Sequence, residues 1–147
     1  MNIYSKTLSI DTSESIELIN LTSQIVTAIE SSGINNGFAI ISSRHTTTAL
    51  FINEFEERLI KDIKLFLKEL VPSEKKYLHN DIHLRDCPPE EPENAHSHLI
   101  AMLLSSSETI PVVDGVLTTG QWQSIIFVEL DGPRNRTVQV QIIGDTK

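Results

Sequence analysis

Apolar and polar positions along this chain switch between two spacings. Residues 3–10 set Ile3, Tyr4, Leu8 and Ile10 among serines and threonines and read as a strand; residues 16–21, Ile-Glu-Leu-Ile-Asn-Leu, read as a second. Thr22 then has the character of a helix N-cap, and Ile25, Val26 and Ile29 form a helical stripe that stops near Gly33. Two β-rich apolar runs, residues 37–43 and 47–52, flank Arg44-His45-Thr46. The sharpest helical pattern follows. Asn53 is the expected cap, Glu56 sits three residues on, and Phe55, Leu59, Ile63, Phe66 and Leu70 repeat until Pro72. Residues 73–94 lose all period and hold Pro88, Pro89, Pro92 and the acidic run Glu90-Glu91-Pro92-Glu93, a connection long enough to predict function or disorder. Asn94 is placed to cap a further helix through Leu99, Met102 and Leu103 to about Ser106. The tail is β-rich: residues 109–113, a turn at Asp114-Gly115, residues 116–118 and 123–130, a loop over 131–136, and clean alternation over 137–143. Several strands with two or three helices and no regular βαβ alternation predict an α+β fold.

Composition narrows the functional classes. The 147 residues fit one domain, 1–147, with enough chain to bury a core. Twenty acidic against twelve basic side chains give a formal charge of −8, which argues against a binder of nucleic-acid backbones. No apolar run approaches the roughly 18 residues of a membrane span. The N-terminus lacks the layout of a signal peptide, and the single cysteine, Cys87, has no internal disulfide partner; together these predict a cytoplasmic protein with no membrane partner. Five histidines are the compositional feature that points at chemistry.

Each histidine has a functional and a plain reading. His45, between two apolar runs, either faces a cleft or is half-buried and bonded to backbone. His79, Asn80, Asp81 and His83 form a denser group whose imidazoles and carboxylate are zinc-type ligands, or else a solvated acidic loop. His96 and His98 lie two residues apart, so on a helix they diverge by about 200° and only one of them can face a given site. Asn53 and Glu54 have two readings as well, as groups at a helix start or as metal- or proton-handling groups leading out of a buried strand. Trp122 is by default a core residue, and Arg134 and Arg136 in the loop over 131–136 are either a solvated pair or a fork for phosphate or carboxylate. Cys87, without a second cysteine or a fixed base beside it, reads as a plain free thiol. Phosphate-binding glycine loops and the common hydrolase motifs are absent.

Taken in order, Arg44-His45-Thr46-Thr47, Phe51-Ile52-Asn53-Glu54, Tyr77-Leu78-His79-Asn80-Asp81, Asn94-Ala95-His96-Ser97-His98, Ile110–Gly115, Thr119-Gly120-Gln121-Trp122-Gln123 and Glu129–Arg134 resemble the YjbQ-like family, also called the secondary thiamine-phosphate synthase family. The resemblance spans about residues 4–143. It departs mildly at Thr47 and Thr48, where the family usually has a serine and a small residue, and at Thr119 and Gln121, where it usually reads Leu-Gly-Thr-Trp-Gln. It implies a compact, β-rich, sandwich-like fold assembled as a homotrimer. It also implies a metal site of His45, His79 and His98, with Glu54, Asp81 and His98 as catalytic groups and Asn53, Trp122 and Arg134 on the substrate side. His96 matches a common form of the motif, whereas His83 has no strong counterpart. The implied reaction joins a pyrimidine diphosphate to a thiazole phosphate with release of pyrophosphate. A three-histidine set suits zinc better than magnesium, so two alternatives stand beside it. One is a metal-dependent hydrolase or phosphatase of a small phosphorylated metabolite, and the other a trimeric binding module for a small anion.

Overall fold

The computed structural model describes all residues, Met1–Lys147. Eight strands, three α-helices and two 3-10 turns follow one another as β1 (Asn2–Asp11), β2 (Glu17–Asn20), α1 (Thr22–Ser32), β3 (Ile34–Ser43), β4 (Thr48–Asn53), α2 (Glu57–Leu70), turns at Leu78–Asn80 and Ile82–Leu84, α3 (Ala95–Leu103), β5 (Ser107–Val113), β6 (Val116–Leu117), β7 (Ser124–Glu129) and β8 (Asn135–Thr146). The strands form a five-stranded sheet, β1-β8-β3-β5-β6, and a three-stranded sheet, β2-β7-β4, with every pairing antiparallel. This is the α+β class that the spacing of apolar positions predicts. No helix is long and apolar enough to cross a membrane.

The alternation in β8 explains the larger sheet. Val138, Val140 and Ile142 are buried while the intervening Thr137, Gln139 and Gln141 stay partly exposed, so the sheet has one dry face. That face packs with α1, through Ile25, Ala28 and Ile29, and with Leu50, Ile125 and Phe127 of the smaller sheet. The opposite face of the smaller sheet carries Ala49, Ile126 and Val128 into a second cluster with Leu67 of α2 and Ile100 of α3. The smaller sheet is therefore buried on both sides, which is why Ile125-Ile126-Phe127-Val128 is apolar without alternation.

Helix starts differ from the sequence expectation in instructive ways. Asn53 does not cap α2; it is the last residue of β4, paired with Ser124, and its Oδ1 accepts the Glu54 backbone N–H at 2.8 Å. Glu56 is the cap, its carboxylate accepting the N–H groups of Arg58 and Leu59. Asn94 stands at the α3 N-cap position without a capping bond and instead donates to Asp131 Oδ2 at 2.8 Å. The orphan N–H of Ala95 is satisfied by Asn80 Oδ1 at 3.0 Å, which ties the irregular connection to the start of α3. That bond holds His79 against the first turns of the helix.

Candidate functional site

His79, in the first 3-10 turn, and His98, one turn into α3, meet edge to face with ring centroids 4.8 Å apart. They share a cleft of about 410 Å³ with Tyr77, Leu78, Ala95 and Leu99. The Tyr77 hydroxyl donates to the Pro72 carbonyl, and Arg85 Nη1 donates to the His79 carbonyl at 2.8 Å, so both ends of the His79 turn are pinned. Burial pushes the His98 pKa below its ordinary value and the neighbouring His79 pushes it further the same way; Asp131 pulls against this, followed by Arg85 lowering it and the Thr46 backbone raising it. The carboxylate that pulls the other way, Asp131, is itself bonded to Arg134 and Asn94. The result is two imidazoles in an apolar cleft, with the Arg85 guanidinium close behind the His79 turn.

His45 is used differently. Its Nε2 accepts the Thr137 backbone N–H at 2.9 Å, and burial, followed by the nearby Arg136, lowers its pKa and keeps that nitrogen an acceptor. The ring thereby ties the loop between β3 and β4 to β8. Beneath it lies a buried cluster, and its Arg136, expected to be solvated or to hold an anion, is buried instead against Glu129. Arg136 donates to both carboxylate oxygens of Glu129 and to Thr47 Oγ1, while Thr12 Oγ1 and the N–H groups of Leu130 and Asp131 complete the Glu129 shell. The available signal is a lone acid ending an apolar run, Ile125 to Val128, and a lone base opening an alternating one.

The remaining expected site residues scatter. Glu54 is half-buried and Asn53 exposed, both at the end of β4. Asp81 lines a separate groove with Lys75, Lys76 and Glu93. Trp122, expected in the core or against a substrate, is 67% exposed in the turn before β7. Arg134 folds back onto its own turn, bonding the carbonyl and the carboxylate of Asp131. His83 and Cys87 face a shallow groove of the irregular connection. Of the pair in α3, His98 lines the cleft and His96 lines a different cavity, as helical geometry requires.

The metal reading needs correction on the donor set. Nowhere in the chain do three or more His, Cys, Asp or Glu side chains converge so as to hold a metal ion. His45, His79 and His98 are not brought into one such group, and His45 Nε2 is already bonded. A single chain therefore offers two imidazoles, short of the three protein ligands of a catalytic zinc site, and no step is built on a metal.

A two-sheet α+β protein with a paired-imidazole cleft at the start of its third helix is the class that fold and site define. The family model described as "UPF0047 protein YjbQ-like" matches residues 6–145, and the chain belongs to that family. It is 46% identical to a UPF0047 protein of Methanothermobacter thermautotrophicus over 98% of this chain and 94% of that one. It is 32% identical to the UPF0047 protein YugU of Bacillus subtilis over 95% and 98% of the two chains. Among solved structures, a YbjQ-like protein of unknown function from Sulfolobus solfataricus superposes with a TM-score of 0.88 at 36% identity, covering 98% of this chain and 99% of that one. A member of the same family from Clostridium acetobutylicum does so with 0.84 at 34%, covering 94% and 99%. These relatives carry family names or are described as uncharacterised or of unknown function. The thiamine-phosphate synthase reaction implied by the resemblance, and a transferase assignment with it, therefore finds no support among them and is withdrawn.

Proposed function

We propose that the His79–His98 cleft is the recognition site for a small phosphorylated metabolite. The observation that carries this is the edge-to-face pair at 4.8 Å. Two imidazoles at that distance repel when both are protonated, and the affinity of His98 for a proton is lowered by burial and then by His79. A phosphate between the rings turns mutual repulsion into two charge-assisted hydrogen bonds, each stronger than a neutral one. Tyr77, Leu78, Ala95 and Leu99 supply an apolar wall for the organic part of the ligand.

Binding an anion raises the lowered His98 pKa, so the complex holds more protons than the free protein and affinity rises as pH falls toward and below the ordinary histidine range. Calorimetry with phenyl phosphate tests this. Phenyl phosphate should bind more tightly than inorganic phosphate, and His98→Phe, which keeps the ring and removes the donor, should weaken it at least about tenfold. Equal binding by wild type and His98→Phe sinks the reading.

We also propose that the chain self-associates as a homotrimer. Leu78, Met102 and Leu103 are 88%, 73% and 61% exposed beside the cleft, more apolar surface than an isolated chain ordinarily leaves in one region. Sedimentation should give three times the chain mass, and a Met102→Glu/Leu103→Glu double variant should lower it. A monomeric wild type at micromolar concentration contradicts this part.

A further inference from the structure

The outward face of the five-stranded sheet is chemically unlike the rest of the surface. Its inward face packs with α1, so alternate residues of β1, β8, β3 and β5 point away from the core. The strand registers set these residues in rows. Ile3, Ile143, Phe38 and Pro111 form an apolar row, with Ile3 and Phe38 exposed. The next row runs through Ser5, Gln141, Ile40 and Thr109, and a third through Thr7, Gln139, Ser42 and Ser107. Bonds between neighbouring strands fix the shared face. Thr7 Oγ1 donates to Gln139 Oε1 at 2.9 Å, Gln141 Nε2 donates to Ser5 Oγ at 3.4 Å, and Ser42 Oγ donates to Ser107 Oγ at 3.1 Å.

None of these three rows contains a charged residue, in a chain whose side chains are 22% charged and whose formal charge is −8. A soluble surface ordinarily carries about a quarter to a third charged residues, and depletion of charge marks the centre of a protein–protein interface. The residue types also say which protein fits. Serine, threonine and glutamine each donate and accept, so each can bond an identical residue, whereas a face of lysine or glutamate would meet its own charge. Equivalent residues lie at equal height along a rotation axis. With the axis along the strands, the apolar row meets the apolar row and the hydroxyl and amide rows meet each other. Copies that each carry −8 repel across an acidic surface, and across this face that repulsion is least. A nucleic acid or an anionic lipid finds no cation here, and a basic protein finds no anion.

We propose that the uncharged outward face of the larger sheet is where copies of this chain meet, packed around the threefold axis of the homotrimer. This rests on the homotrimer reading above and names its central surface. The exposed end of α3 reaches the same border, because four residues lead from Leu103 to Ser107 at the start of β5, a span of at most about 14 Å.

Sedimentation of the full chain tests it. Gln139→Glu/Gln141→Glu preserves the size of both side chains and the acceptor for Thr7, and puts two carboxylates in the middle of the face. The association constant should fall at least about tenfold, since like charges are brought together. Gln139→Met/Gln141→Met, similar in size and uncharged, should keep the wild-type mass; if both pairs dissociate the assembly alike, charge is not what matters and the proposal fails. Stoichiometry and face are read separately. A wild-type trimer whose mass survives the glutamate pair overturns the face alone. A wild-type dimer that the glutamate pair dissociates keeps the face and overturns the number three. A wild-type monomer overturns both.

Discussion

Glu129→Gln is expected to destabilise the fold by about 3–5 kcal/mol, the range found when one member of a buried ion pair is removed. Glu129 is fully buried and Arg136 nearly so, with Nη2 to Oε2 at 2.7 Å. Burial alone would raise the Glu129 pKa; the Arg136 guanidinium, the Thr12 hydroxyl and the Asp131 N–H outweigh it and hold the carboxyl below the ordinary carboxylate range. Glutamine keeps the shape but leaves the Arg136 cation buried without a counter-charge. Urea unfolding should show a lower midpoint at an unchanged slope. The folded pKa is depressed, so the contribution of the wild-type carboxylate is complete above the unfolded carboxylate pKa and is lost as pH falls through the lower folded value. An acid limb in wild type that disappears in Glu129→Gln is the matching signature. The effect reaches the cleft as well. Arg136 bonds Thr47, and His45 ties the same loop to β8, so loosening this cluster moves the Thr46 backbone that faces His98.

Gly37→Ala should be similarly damaging, at about 3 kcal/mol or more, for a purely steric reason. Gly37 of β3 and Gly144 of β8 are register partners in the middle of the larger sheet. A Cβ on Gly37 would stand 2.0 Å from the Ile143 carbonyl oxygen and 2.7 Å from Gly144 Cα, and one on Gly144 would stand 2.1 Å from the Asn36 carbonyl oxygen. All of these obstacles are backbone, so no side chain can yield and the two strands must separate. Gly33 makes the contrast. Its φ is +66° and an added methyl would meet nothing within 4 Å, so Gly33→Ala carries only the left-handed backbone penalty, about 1–2 kcal/mol. Thermal unfolding of the two variants should therefore separate clearly, with Gly37→Ala the lower. A Gly37→Ala protein as stable as Gly33→Ala would contradict the close approach of β3 and β8.

Much of this fold is legible in the spacing of apolar residues, because the two periods are properties of single elements. The helix from Thr22 to Gly33 and the alternation of residues 137–143 are of that kind. Caps are less secure, since several residues compete. Asn53 and Glu56 both carry capping side chains, and Glu56 prevails because the β4 ladder extends through Asn53 to Ser124. Pairing across long separations is not legible at all. Nothing local says that Thr12, Thr47, Glu129 and Arg136 meet, or that Asn80 caps a helix beginning at Ala95. The same limit governs the site. The family resemblance implies that His45, His79 and His98 belong together, yet the rings in contact are His79 and His98, and the His45 ring is bonded to β8. Trp122 shows the converse, for a lone tryptophan is usually packed inside and here sits in an exposed turn.

If His79 and His98 form one coupled site for a phosphorylated ligand, NMR titration of the two imidazoles with and without saturating phenyl phosphate reads it out at the rings themselves. In the free protein His98 should titrate below the ordinary histidine value of about 6.5. With phenyl phosphate bound, its apparent pKa should rise above that value. A His98 that titrates normally and does not respond to phenyl phosphate would contradict the proposed site.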